Sequence, residues 1–133
     1  MTDSHAGGCF CGAVRYAAEG APLNVRVCHC RICQRTTGAA FFARAMFPRA
    51  KVSVTGETVA TPSSHRLNRV RCAHCGTPLF AEPIDLPETI SVNLVTLDDP
   101  NALKPTMHIW TSSKLAWVVL ADGLPQYPEG PPA

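Results

Sequence analysis

The chain has 133 residues, of which 46% are apolar and 17% charged, and it carries a formal net charge of +2 with histidine neutral. This composition suits one globular domain over residues 1–133 and excludes a disordered chain. The small charge excludes nucleic acid and an acidic membrane as expected partners.

Twelve prolines and nine glycines favour short strands and turns over long helices. In chain order, Ala13 to Ala17 alternates as a strand, and Ala39 to Phe47 is a richer apolar strand. Lys51 to Thr55 alternates strictly and is closed by Gly56, whereas His65 to Arg71 breaks the period of two. Leu79 to Ala81, Thr89 to Leu94 and Met107 to Trp110 complete the expected strands. Helix is expected only as one turn after Cys30 and over Asp99 to Leu103. Turn signals recur at Pro48, Gly56, Pro62, Pro83, Pro87, Pro100 and Gly123. The fold class is therefore mainly β, a small antiparallel fold with little helix. The Pro-rich end over 127–133 is expected to be extended or frayed.

Met1 to His5 lacks the basic flank and apolar stretch of a signal peptide, and no apolar run is long enough to cross a bilayer. A soluble, cytoplasmic protein with no membrane partner is expected. In that compartment, tightly spaced cysteines suggest metal or redox chemistry before structural disulfides.

The seven cysteines form three groups: Cys9-Phe10-Cys11, then Cys28-His29-Cys30-Arg31-Ile32-Cys33, then Cys72-Ala73-His74-Cys75. Cys11 and Cys75 are each followed by glycine, Gly12 and Gly76. A zinc knuckle bends sharply so that N–H groups reach the sulfurs, and glycine takes the positive φ that such a turn requires. Two knuckles supply four thiolates, so Cys9, Cys11, Cys72 and Cys75 are assigned to a closed structural zinc. The pairing closes a loop of about 60 residues, which restricts the unfolded chain and makes metal binding a source of folding energy.

Cys28, Cys30 and Cys33 remain. Three thiolates do not complete a tetrahedron, so a fourth protein ligand, water or substrate must arrive, and an open position marks a catalytic zinc. Two other readings stay open: thiol–disulfide chemistry at Cys30 and Cys33, and a second structural site completed by histidine. Clustering speaks against seven free core thiols. His29 lies between two ligands and would point away from their metal, His74 sits inside the other knuckle, and His5 is in a loose terminus. His65 and His108 lie on predicted strands, and His108 is the best candidate for a pocket, with a hydrogen-bonded core histidine as the commoner outcome. Arg31, Arg35, Arg44, Arg49 and Lys51 form a modest basic cluster, read either as a solvated face or as a site for small acidic ligands. Neither a GxSxG elbow, a Gly-rich phosphate loop nor HExxH is present.

Gly7-Gly8-Cys9-Phe10-Cys11-Gly12-Ala13-Val14-Arg15-Tyr16 resembles the opening of the glutathione-dependent formaldehyde-activating enzymes, also called the centromere-protein-V family. Cys28 to Arg35 is similar to their second motif, and Arg71 to Phe80 to their third. His108-Ile109-Trp110 through Trp117 to Asp122-Gly123-Leu124-Pro125 is similar to their C-terminal signature, so the resemblance spans about residues 7–128. It implies a β-tent fold and two zinc ions per chain: a structural one on Cys9, Cys11, Cys72 and Cys75, and a second on Cys28, Cys30 and Cys33. It also implies a carbon–sulfur lyase, named for condensing formaldehyde with glutathione to S-hydroxymethylglutathione.

A thiol is a weak nucleophile until it becomes a thiolate, and a zinc at Cys28, Cys30 and Cys33 could lower the pKa of a substrate sulfur. Three anionic sulfurs weaken the cation as a Lewis acid, so thiolate activation is the easier assignment than aldehyde polarisation. Arg31 and Arg35 are the candidates to bind the carboxylates of glutathione. Phe41, Phe42 and Trp110 are candidates for an apolar wall. The expected function is a zinc-dependent lyase acting on a thiol–aldehyde adduct. The alternatives are a zinc-bearing interaction module without chemistry and a redox- or metal-responsive thiol protein.

Overall fold

The computed structural model describes residues 3–63 and 66–131. Their strands are β1 (Ser4–Gly8), β2 (Arg15–Glu19), β3 (Asn24–Cys28), β4 (Phe42–Pro48), β5 (Val52–Thr55), β6 (Thr58–Ser63), β7 (Leu67–Cys72), β8 (Pro78–Pro83), β9 (Thr89–Asn93) and β10 (Met107–Ile109). One helix, α1 (Arg31–Thr37), lies between β3 and β4. The fold is mainly β, as the alternation and turn spacing imply.

A three-stranded sheet runs β1-β2-β5, and a seven-stranded sheet runs β10-β3-β4-β9-β8-β7-β6. All pairings are antiparallel except β10 with β3, where Met107, His108 and Ile109 align with Arg26, Val27 and Cys28. That parallel strand departs from the purely antiparallel expectation. The long stretch between β9 and β10 gives the chain room to return in the same direction.

Period-two alternation gives the large sheet two different faces. On one face Val25, Ala45, Phe47, Val70, Phe80, Ile90 and Val92 join Val14 and Tyr16 in the main core. Phe47 is fully buried, and truncation of such a phenyl ring to alanine costs about 3–5 kcal/mol. The opposite face is set by register: Arg26 pairs with Arg44 and Cys28 with Phe42. In the next row Met46 pairs with Ser91, Ser91 with Ala81, and Ala81 with Arg69. This second face carries the chemistry.

Three strands and several boundaries differ from expectation. β1 contains two glycines and has poor strand propensity; tertiary contact places it, because Gly7 leaves no room for a Cβ between its backbone and the Tyr16 hydroxyl. His5 accordingly sits in a paired strand, with its ring 6.2 Å from that of Phe47, and not in a loose terminus. β6 contains Pro62, which its position at the sheet edge tolerates. β3, NVRVC, alternates but is short, and it ends in the first ligand of the second cysteine group. Asp99 to Leu103 forms turns and no helix: the Asp99 carboxylate accepts from Asn101 N at 3.0 Å and competes with helical pairing. α1 runs past Cys33 to Thr37 before Gly38 ends it with φ of 68°. Trp110 lies beyond β10 in the left-handed region, with φ of 57°. The Pro-rich backbone bends over 128–130 and is tied down, with Tyr127 N donating to His108 O at 2.9 Å and Trp110 N to Glu129 O at 2.8 Å; positions 132–133 lie outside the described residues. His65, placed on a strand by the sequence, lies outside the described residues, while the strand itself begins at Leu67.

Candidate metal centres and the thiolate pocket

The first centre is built by two tight turns. After Cys9 the chain reverses so that Gly12 N donates to Cys9 O at 3.2 Å, and after Cys72 it reverses with Gly76 N to Cys72 O at 3.0 Å. Gly12 has φ of 83° and Gly76 of 80°, the conformation expected of a knuckle glycine. Backbone N–H groups point at sulfur: Val14 N to Cys9 Sγ at 3.2 Å, His74 N and Cys75 N to Cys72 Sγ at 3.3 and 3.4 Å. Such bonds favour thiolates. Cys75 is held down to about 5 by the hydroxyl and backbone of Thr77.

All four sulfurs of Cys9, Cys11, Cys72 and Cys75 lie within 4.8 Å of one another. Cys9 Sγ to Cys11 Sγ is 3.6 Å, and Cys11 Sγ to Cys72 Sγ is 3.8 Å. A tetrahedron with zinc–sulfur bonds of about 2.3 Å has edges of about 3.8 Å, so the donor set and its spacing fit zinc. The ligands link β2's neighbourhood to the far end of β7, about 60 residues along the chain.

The second centre is built differently. Cys28 ends β3, Cys30 caps α1, and Cys33 lies in its first turn. Cys30 Sγ accepts from Cys33 N at 3.2 Å, the capping bond that fixes the helix start. The three sulfurs lie within 4.8 Å of one another. Cys30 titrates well below an ordinary thiol, because the Cys28 and Cys33 thiols donate to its thiolate. Those same bonds, with burial, push Cys28 far up. A divalent cation such as zinc would take all three sulfurs as thiolates, and this donor set fits zinc with one position left over.

Arginines surround this centre. Arg69 Nη2 donates to Cys33 Sγ at 3.3 Å, Arg69 Nε to Ser63 Oγ at 3.1 Å, and its guanidinium lies 5.4 Å from the centroid of Phe42. Arg44 Nη1 donates to Ser91 Oγ at 3.2 Å. Arg26 stands beside Arg44 in the register, and burial lowers the pKa of both. Arg26 Nε and Arg69 Nη1 are buried without a hydrogen-bond partner among the described residues. Two cavities open against this face. One of about 90 Å³ is lined by Cys33, Phe42, Arg44, Arg69 and Ser91, among others. The other, of about 270 Å³, has Thr36, Phe42, Arg69 and Arg71 in its wall. Phe42 and Arg69 line both.

Behind the cysteines runs a histidine chain. His29 Nε2 lies 2.8 Å from His108 Nδ1, and His108 Nε2 lies 2.7 Å from Asp122 Oδ2. A carboxylate only accepts, so His108 donates to Asp122 and, when neutral, accepts from His29. His29 Nδ1 is then a buried acceptor with no partner among the described residues. Burial, then His108 and Lys114, pull His29 down to about 4. His108 holds Asp122 below the usual carboxylate range. Gln34 clamps the same segment, with Nε2 donating to His29 O at 2.8 Å and to Ser113 O at 3.1 Å.

The structure thus brings the cysteines into the two groups that the spacing implies. Arg31 and Arg35 lie on the exposed side of α1, where Arg31 bonds the Gln34 side chain. Arg49 pairs with Glu82 at 2.7 Å. Of the basic cluster, only Arg44 lines the small cavity. Phe42 forms part of the wall, whereas Phe41 tilts against His29 at 5.4 Å between centroids. Arg26 and Arg69 were not singled out by the sequence. Their signal was period two: Arg26 and Cys28 share a strand face, as do Phe42 and Arg44. The histidine chain had no local signal, since its members come from positions 29, 108 and 122.

Comparison with known proteins places this geometry. A crystal structure of a Rhodobacter sphaeroides protein superimposes with a TM-score of 0.56 at 26% sequence identity, covering 73% of this chain and 91% of that one. The family model described as glutathione-dependent formaldehyde-activating enzyme matches residues 4–113, which contain every cysteine of both centres. The chain therefore belongs to the glutathione-dependent formaldehyde-activating enzyme family.

Proposed function

We propose that this chain joins glutathione to formaldehyde or a related small aldehyde and splits the adduct in reverse, acting as a carbon–sulfur lyase. Cys28, Cys30 and Cys33 would hold the catalytic zinc, and Cys9, Cys11, Cys72 and Cys75 a structural one. One observation carries the reading: the three-thiolate cluster borders a cavity through Cys33, while guanidiniums rather than carboxylates surround it. When bound, zinc supplies the positive charge that keeps a substrate thiol ionised near neutral pH.

The chain's own residues then bind and orient. Phe42 walls the site and limits water. Arg71 stands in the wall of the larger cavity, where it meets a carboxylate of glutathione; Arg31 and Arg35 add positive charge on the outer face of α1. Arg69 fixes Cys33 by its bond to Sγ. In the reaction the sulfur–carbon bond forms, the carbonyl π pair moves to oxygen, and the thiol proton ends on that oxygen as a hydroxyl. No redox change occurs.

The test is zinc stoichiometry of anaerobically purified protein, with and without excess glutathione, beside a Cys30→Ala variant. Two zinc ions per chain, one of them lost in the variant and altered in its X-ray absorption spectrum by glutathione, support the reading. Zinc that is indifferent to glutathione sinks it.

A further inference from the structure

Three thiolates and one divalent cation carry a single net negative charge. Arg26, Arg44 and Arg69 stand on the same sheet face and outweigh it. Among the described residues, no ion pair joins any of the three to a carboxylate. One guanidinium would balance the centre, and Arg69, bonded to Cys33 Sγ, does so. Arg26 and Arg44 are in excess, and both are half-buried, where an unpaired charge costs more than in open water. Arg69 Nη1, on a residue of the cavity wall, is buried and without a hydrogen-bond partner among the described residues. Arg26 stands outside that wall, on the same strand as Asn24, whose Oδ1 is itself a buried acceptor without a partner there.

The small cavity lies where an acceptor is missing. Its wall holds Arg44, Arg69, Ser91 and the Cys33 sulfur, with Phe42 and Met46 as apolar sides. At about 90 Å³ it has room for about three water-sized groups, which is a carboxylate and the one or two carbons behind it. The bulk of a tripeptide belongs in the larger cavity, which Arg69 also lines.

We propose that the pocket between Arg44 and Arg69 is a carboxylate subsite, and that the carbonyl substrate of this chain is a small 2-oxo acid of glyoxylate size rather than an uncharged aldehyde. The proposal rests on the reading of the second centre as a thiol–carbonyl lyase. The thiol adds to the carbonyl carbon next to the carboxylate: a sulfur–carbon bond forms, the π pair goes to oxygen, and the thiol proton completes the hydroxyl. Arg44 and Arg69 hold the adjacent carboxylate and so present one face of the carbonyl carbon to the sulfur.

The experiment uses the zinc-loaded full chain under anaerobic conditions. Catalysed hemithioacetal formation from glutathione is followed with glyoxylate and with methylglyoxal, a carbonyl compound of similar size without the charge. The expected preference for glyoxylate is about tenfold or more in kcat/KM, the scale of a charge-assisted hydrogen bond. In Arg44→Gln it should fall below about threefold, and Arg44→Lys should restore part of it, with zinc content checked in each. Equal use of both compounds, or an undiminished preference in Arg44→Gln, overturns the proposal. Cysteamine in place of glutathione separates the two sources of carboxylate. A preference that persists supports the oxo acid, and one that vanishes assigns the pocket to glutathione's own carboxylate and overturns the proposal. If no carbonyl compound reacts, the lyase reading fails, and calorimetry still decides the subsite. Binding of acetate but not acetamide, lost in Arg44→Gln, supports it, and no difference between the two overturns it.

Discussion

The two cysteine centres reach a similar packing of sulfur by opposite means. At the first, four ligands come from two glycine-ended turns, with Cys11 and Cys75 exposed and the sulfurs capped by backbone N–H groups. At the second, three ligands come from one strand end and one helix start, beside arginines and a cavity. A closed set of four needs no further ligand from the protein. An incomplete set is useful only if its neighbours prepare the missing position, and here those neighbours are charged groups on three different strands. The difference between the two cysteine groups is therefore visible beyond the ligands themselves.

That contrast can be broken by experiment. The largest effect is expected from Cys72→Ala, because metal affinity at the first centre is folding energy on the order of 10 kcal/mol. This variant should lose its cooperative thermal transition, followed by circular dichroism, whereas Cys30→Ala should retain one. Equal loss in both would erase the distinction. Next comes zinc extraction by a chromogenic chelator, which should be biphasic. The faster phase should be absent in Cys30→Ala and more than about tenfold quicker than the slower one, since a three-ligand site lacks the fourth bond. A single phase would place both metals in equivalent sites.

Smaller effects sharpen the picture. Gly76→Ala meets open space but keeps φ of 80°, so only backbone strain of about 1–2 kcal/mol should appear in urea unfolding. Arg31→Ala, exposed on α1, should stay within about 0.5 kcal/mol of the parent in the same assay. Tyr16, beneath β1, is raised by burial from 10.0 to about 12, with Thr96 bonded to its hydroxyl. The unfolded chain then releases this proton first, so stability should fall as pH rises from about 10 towards 12. Tyr16→Phe should abolish that dependence and the late phenolate absorbance change.

The metal groups were legible in the sequence because their chemistry is local. Gly12 and Gly76 follow their cysteines directly, and ligand spacing survives any tertiary detail. Most strands were legible for the same reason, through alternation over a few residues. β1 was not, since its glycines serve close approach to Tyr16 and carry no strand signal. The arginine face needed register, which depends on which strands meet: nothing near Cys33 announces Arg69, which β7 delivers from 36 positions away. The chain from His29 to Asp122 is still more distant in origin, and only the parallel pairing of β10 assembles it.

That parallel pairing also has a consequence in time. All seven thiols precede Ile109 and Ser113 in the chain, so they emerge from the ribosome first, and the first centre could then close on a metal. The second cannot be braced at that moment: His29 N waits for Ile109 O, and Gln34 for Ser113 O. Vectorial synthesis would thus favour metal loading of the first group before the second, whose three cysteines emerge before their backing does. During that interval Cys28, Cys30 and Cys33 would be a bare set of sulfurs, open to oxidation until the later strand arrives.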